Sequence, residues 1–164
     1  MLVLGIDPGM AITGYGLVRR TGNHLEGVAF GVIRTPSGQP PPERLRTIYH
    51  ELRALCLARQ PDTAAVELLF FSRNVRTAMA VGQARGVILL ALADFGLAVA
   101  EYTPLQVKQA VVGYGRADKH QVQEMVRVLL ALKERPRPDD AADALGVAIC
   151  HAHSCRIQRE VTMP

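Results

Sequence analysis

The chain has 164 residues, 49% hydrophobic and 21% charged, which are the proportions of one compact globular domain and exclude a disordered or fibrous protein or two large domains. A net charge of +4 and a pI near 9.3 permit an anionic partner without specifying one, because surface lysines alone give the same balance. No basic region precedes the apolar N-terminus, so it does not read as a signal peptide, and the longest apolar run, Val87 to Ala93, is too short to span a bilayer.

In chain order, Met1 to Ile6 predicts a strand, and the turn Asp7-Pro8-Gly9 leads to a second strand over Thr13 to Arg19. A turn at Thr21-Gly22-Asn23 leads to a third over Gly27 to Thr35. Connections this short favour an antiparallel meander. Glu43 to Arg59 has helical spacing, with Leu45, Ile48, Leu52 and Leu55 on one stripe, and Pro61-Asp62 stops it. Thr63 to Leu69 is apolar on both sides, as an interior strand is. Val75 to Ala93 predicts a long helix ended by Gly96, and Leu97 to Tyr102 a fifth strand. Helices over Leu105 to Val112, Lys119 to Leu132 and Asp140 to His153 follow. The expected fold is α/β: a five-stranded mixed sheet, antiparallel strands first and parallel strands after, flanked by helices. Residues 1–155 form the expected single domain, and 156–164 a poorly ordered tail.

Acids stand inside this apolar pattern. Asp7 ends the first strand, where proline and glycine fix a tight exit that aims the carboxylate off the strand end. A turn-capping aspartate would look the same. Glu67 is harder to dismiss, because it interrupts a run expected to be buried. Asp140 and Asp143, three residues apart, share a helical face, and Asp139 with Asp143 is equally compatible. Acids favour a helix N-terminus in any case, but Asp143 leads into the apolar face of Ala144 to Ile149. Carboxylates in apolar segments are costly unless paired or bound to a cation, and several converging would make a hard oxygen site for Mg²⁺ or Mn²⁺.

Cations and aromatics supply a second pattern. Lys108 and Lys119 flank Gly113-Tyr114-Gly115, and Phe70-Phe71 precede Arg73, Asn74 and Arg76 just beyond Glu67. Cations that track a phosphate backbone beside rings able to stack on or wedge between bases would suit a nucleic acid. Gly82 and Gly86, four apart in the long helix, suggest close helix packing or a subunit contact. Cys150, His151, His153 and Cys155 match no common zinc spacing and read as helix packing; with Cys56 they make an odd count of three cysteines, which fits a reduced, cytoplasmic protein without a membrane partner.

From about residue 3 to residue 153 the chain resembles the RuvC family of Holliday-junction resolvases. The stretches that carry the resemblance are Gly5-Ile6-Asp7-Pro8-Gly9, Thr13-Gly14-Tyr15-Gly16, Glu67 with Phe70, Gly82-Gln83-Ala84-Arg85-Gly86, Val107-Lys108-Gln109, Val111-Val112-Gly113 and Asp140-Ala141-Ala142-Asp143-Ala144-Leu145. Met10 and Leu68 depart from the small polar residue and the glutamine frequent in the family. The resemblance implies a ribonuclease-H-like fold, a homodimer, and cleavage of four-way DNA junctions in recombination and repair, leaving 5′-phosphates. It implies two Mg²⁺ ions per active site, with Mn²⁺ able to substitute, held by Asp7, Glu67, Asp140 and Asp143. Its register selects Asp140 over Asp139, assigns Lys108 and Lys119 to DNA binding and cleavage, and sets Phe70 against the junction. A branch-migration complex of RuvA and RuvB is the implied partner. The rival readings are an actin-like or sugar-kinase ATPase, whose second domain has no room here, a non-catalytic junction-binding protein, and a related nuclease for RNA–DNA hybrids or other branched substrates.

Overall fold

The computed structural model describes residues 1–68 and 75–161, with side chains as far as Cys155. A meander of β1 (Leu2–Asp7), β2 (Ile12–Thr21) and β3 (His24–Arg34) is followed by α1 (Pro41–Arg59), β4 (Thr63–Glu67), α2 (Val75–Asp94) and β5 (Val99–Tyr102). Then come α3 (Pro104–Val112), α4 (Lys119–Leu129) and α5 (Asp139–Val161). The five-stranded sheet runs β3-β2-β1-β4-β5, antiparallel through the meander and parallel from β1 through β4 to β5. This is the ribonuclease-H-like arrangement that the resemblance implies.

Element boundaries depart from the sequence expectation for local reasons. β2 and β3 run on to Thr21 and start at His24, because their polar ends pair across the hairpin around Gly22, with Leu25 turned into the core between neighbours that stay largely in water. α4 stops at Leu129 rather than Leu132: Ala131 takes a left-handed φ of 50°, and the Leu132 amide turns back to the Arg127 carbonyl. Glycine ordinarily marks such an end, so alanine concealed it. β4 ends at Glu67 instead of Leu69, and β5 begins at Val99 instead of Leu97. α5 continues to Val161, past the expected end at His153.

The sheet separates two cores. Leu4, Ile6, Leu17, Ala64 and Val66 pack on the side of α1 and α2, while Val3, Val18 and Ala65 pack on the side of α3, α4 and α5. Strand side chains alternate, so Asp7 shares a face with Val3, and Glu67 with Ala65: both acids look toward α5. α5 lies unusually close to that face. A side chain at Gly14 would meet the Asp140 carbonyl at 2.0 Å, and one at Gly5 the Ala144 carbonyl at 2.1 Å, so the two glycines are the seat of the helix. α2 is long and apolar enough, by length and composition, to cross a membrane. It is, however, the link between the adjacent parallel strands β4 and β5, and it buries Ala84, Ile88, Ala91 and Leu92 against the domain.

Candidate metal centre

Asp7 and Glu67 are the last residues of neighbouring parallel strands, one register step beyond the Ile6–Val66 pair. Gly14 is the antiparallel partner of Asp7, and the Asp140 backbone rests on that glycine. The first turn of α5 therefore brings Asp140 and Asp143 over the ends of β1 and β4. The turn after β1 is held by the Thr13 hydroxyl, which donates to the Gly9 carbonyl at 2.7 Å. Residues far apart in sequence thus reach one place because the central strands end there and α5 starts there.

The electrostatics record that convergence. Burial pushes the Asp7 carboxyl up to about 8, with further upward pressure from Glu67, Asp143 and Asp140. Burial and then Asp143 push Glu67 up to about 7, against a hydrogen bond with Asp7 and the charge of Lys119. Both carboxyls are thus pushed well above the ordinary range, so without a cation Asp7 and Glu67 resist ionising together. Asp143 is raised by burial, opposed by Lys119.

Lys119 opens α4 behind the Asp118 cap, whose carboxylate accepts from the Gln121 amide. Its Nζ lies 3.2 Å from both Asp139 and Asp143. Burial works against its charge, yet Asp143 and Asp139 outweigh that and raise its pKa. Asp139, by contrast, is held below the ordinary carboxylate range by Gln123, at 2.9 Å, and by Lys119. It is an exposed acid with local partners, whereas Asp143 is largely enclosed.

Among the described residues, no three His, Cys, Asp or Glu side chains are gathered closely enough to hold a metal ion as they stand. The acids stand instead as couples, Asp7 with Glu67 and Asp143 with Lys119. A divalent cation fits the donor chemistry: the converging groups are hard carboxylate oxygens, and their crowding leaves Asp7 and Glu67 resisting ionisation until positive charge is supplied.

The expected nucleic-acid contacts divide. Arg76, at the start of α2, lines a cavity of ≈ 520 Å³ with Met10, Arg44, Ala80 and Asp140, which places it beside the acids. Met10 is buried in the core and forms part of that wall. Lys108 is half-buried on α3 and makes no ion pair with the acids, whereas Lys119 is inside their cluster. Phe70, Phe71, Arg73 and Asn74 lie outside the described residues. A second, open cavity of ≈ 810 Å³ runs from Asp139 and Asp140 past Gln123 to Arg135 and Arg137, two cations the sequence reading did not single out. Their only sequence signal is a basic stretch just before the acids.

The profile of the family described as Crossover junction endodeoxyribonuclease RuvC matches residues 3–151. A protein of that name from Desulfitobacterium hafniense (strain DSM 10664 / DCB-2) is 62% identical over 157 residues, covering 96% of this chain and 95% of its own. The one from Moorella thermoacetica is 62% identical over 152 residues, covering 93% and 91%. Thermus thermophilus RuvC, solved in complex with a Holliday junction substrate, superposes with a TM-score of 0.91 at 39% identity, covering 96% of both chains. The yeast mitochondrial Holliday junction resolvase Ydc2, at 12% identity, 97% coverage of this chain and 82% of its own, shares the fold with a TM-score of 0.70. With the profile spanning both cores and every acid of the cluster, the chain belongs to the RuvC family of crossover junction endodeoxyribonucleases.

Proposed function

We propose that this chain resolves four-way DNA junctions by paired, symmetric nicks, with Asp7, Glu67, Asp140 and Asp143 as its metal-binding and catalytic acids. The observation that carries the site assignment is that acids from β1, β4 and α5 perturb one another's ionisation at one end of the sheet. Only a cluster that gains a counter-charge in its working state justifies so much buried like charge. Two Mg²⁺ ions per site, with Mn²⁺ able to replace them, would supply water activation and neutralise charge on the scissile phosphate. The chain's own groups do the holding. Asp7 and Glu67 would hold the ions from the strand ends, losing any proton they carry, and Asp140 and Asp143 would offer oxygens from the helix. Of the two partners of Lys119, Asp143 would hold an ion, while Asp139 would keep the ammonium at the edge of the site, within reach of the DNA. Arg76 and Lys108, with Phe70, Phe71, Arg73 and Asn74, are the proposed DNA contacts.

A four-way junction has two-fold symmetry, so paired nicks call for a two-fold dimer. α2 offers the surface for it. Val75, Met79, Gly82, Gly86 and Leu90 fall on one stripe, Val75, Met79 and Leu90 are 71%, 63% and 55% exposed, and a side chain at either glycine would meet nothing within 4 Å. Nothing among the described residues requires glycine there, and the bare backbone would let a second copy approach closely. The enzyme acts in the cytoplasm, in recombination and repair, with the RuvA–RuvB branch-migration complex as its partner.

The deciding experiment compares a four-way junction, linear duplex and RNA–DNA hybrid of one sequence, in Mg²⁺ and in excess chelator. Paired nicks with 5′-phosphates confined to the junction and lost with chelator are expected. Binding without cutting would leave a junction-binding protein, and preference for the hybrid would move the chain to the related nuclease reading.

A further inference from the structure

His151 is a buried, titratable side chain on α5 that the chemistry above leaves unused. Its Nε2 is 2.9 Å from the Thr63 hydroxyl and its Nδ1 2.9 Å from the Tyr102 hydroxyl. Thr63 has one hydroxyl proton, and the Ala98 carbonyl lies 3.1 Å away as its acceptor. Both Thr63 contacts are made together only if Nε2 carries the ring proton and donates to Thr63. Nδ1 is then bare and accepts from Tyr102. The ring is a neutral connector with a defined tautomer, and burial, which holds its pKa below the ordinary histidine value, keeps it so.

The three connected residues lie on the three elements that matter. Thr63 begins β4, whose last residue is Glu67. Tyr102 is the register partner of Glu67 on β5, and its carbonyl accepts the Leu68 amide at 2.8 Å. His151 is on the helix that starts with Asp140 and Asp143. Elsewhere α5 meets β1 and β2 through Gly5, Gly14 and Gly16 and through Ala144, Leu145 and Ala148, contacts that set how close the helix comes to those two strands. Arg20 reaches the Ala152 carbonyl at 2.6 Å, but it ties α5 to β2, not to the strand bearing Glu67. A helix is stiff along its axis, so where His151 is pinned, the acids about two to three turns away are placed.

We infer that His151 is a positioning residue: through Thr63 and Tyr102 it fixes the axial position of α5 against β4 and β5, and so the spacing of Asp140 and Asp143 from Glu67. The inference rests on the metal-centre reading above. A misplacement of about 1 Å by a change remote from the chemistry can cost about 100-fold in rate.

The test uses the full-length protein with Tyr102→Phe, which deletes only a hydroxyl, His151→Leu, and His151→Gln, which keeps a donor and an acceptor. Mn²⁺ affinity is measured on the free protein by calorimetry. Junction affinity is measured in chelator, single-turnover cleavage at saturating junction across a metal titration, and Tm separately. Tyr102→Phe and His151→Leu are expected to weaken Mn²⁺ binding about 10-fold and shift the metal requirement for cutting equally. Junction affinity should stay unchanged, and His151→Gln should recover most of the loss. Normal Mn²⁺ affinity and cutting in Tyr102→Phe, with Tm alone lowered, would overturn the inference and leave the trio as core packing. Should His151→Leu not fold, Tyr102→Phe decides. Failure of the unmodified protein to bind Mn²⁺ or cut junctions would instead remove the metal-centre reading beneath it.

Discussion

Asp7 carries the heaviest electrostatic load in the cluster, and its substitution separates binding from chemistry. With its carboxyl at about 8 and that of Glu67 at about 7, the folded, metal-free chain holds protons that the unfolded chain releases near pH 4. The pair therefore binds more protons in the folded state between about pH 4 and 8, and its contribution to metal-free stability falls as pH rises through that window, against the opposite contribution of the buried His151 and His153. Chemical denaturation of the unmodified and Asp7→Asn proteins at pH 5 and at pH 8 in chelator isolates this, and an equal change with pH in both would contradict the clustering. Asp7→Asn removes the ionisable group, so it should abolish cutting and spare junction binding. It should also raise metal-free stability at pH 8 by at least about 1 kcal/mol, a few degrees in Tm, with a smaller gain at pH 5. Mg²⁺ should raise the Tm of the unmodified protein more than that of the variant. Asp7 and Glu67 were legible in the sequence because each interrupts an apolar strand. Spacing could not choose between Asp139 and Asp140, because both open the same helix; the choice came from the family register, and the structure adds that Asp139 faces Gln123 and Lys119. The entry of Lys119 into the acid cluster was not legible, since it depends on how α4 leans on α5.

At the scale of elements, what positions the site is the seat of α5 on glycine. Gly14→Ala would drive a methyl into the Asp140 carbonyl, a backbone atom that cannot swing aside. The helix must lift at the end where the acids are. Overpacking of this kind costs about 1–3 kcal/mol, so Tm should drop by about 2–10 °C, and cleavage should fall further than junction binding does. An unchanged cleavage rate in a folded Gly14→Ala protein would show that helix height is not what sets the acids. Every strand and helix was legible from periodicity, because each buries one apolar stripe or run. Their ends were less so. Ala131 closes α4 in a conformation usually left to glycine, and the ends of β2 and β3 pair as a mostly charged stretch that buries only Leu25. The surface of α2 was half legible: Gly82 and Gly86 suggested close packing, but only the structure shows that the space in front of them is open.

At the scale of the whole molecule, symmetric cleavage requires two complete sites on a two-fold assembly, and the α2 stripe is where that requirement can be broken. Met79→Glu would place a charge in the middle of the face that the proposed dimer would desolvate, at a cost larger than most single contacts return. The domain should survive, because Met79 is 63% exposed and belongs to neither core. The variant should sediment as a monomer with an unchanged Tm extrapolated to low concentration. On a supercoiled plasmid carrying one junction, a dimer cuts opposed strands within a single encounter and yields linear product directly. A monomer, having one site per encounter, should accumulate the nicked circle first. A mixed dimer of Asp7→Asn with unmodified chains should do the same, because only one of its sites can cut. If the Met79→Glu protein stays dimeric and still linearises in one encounter, the two-fold contact lies elsewhere than α2, while the metal centre at the ends of β1 and β4 keeps its assignment. Nicked circles from the mixed dimer with linear product from Met79→Glu would separate the two claims, since the first depends on the acids alone and the second on the helix stripe.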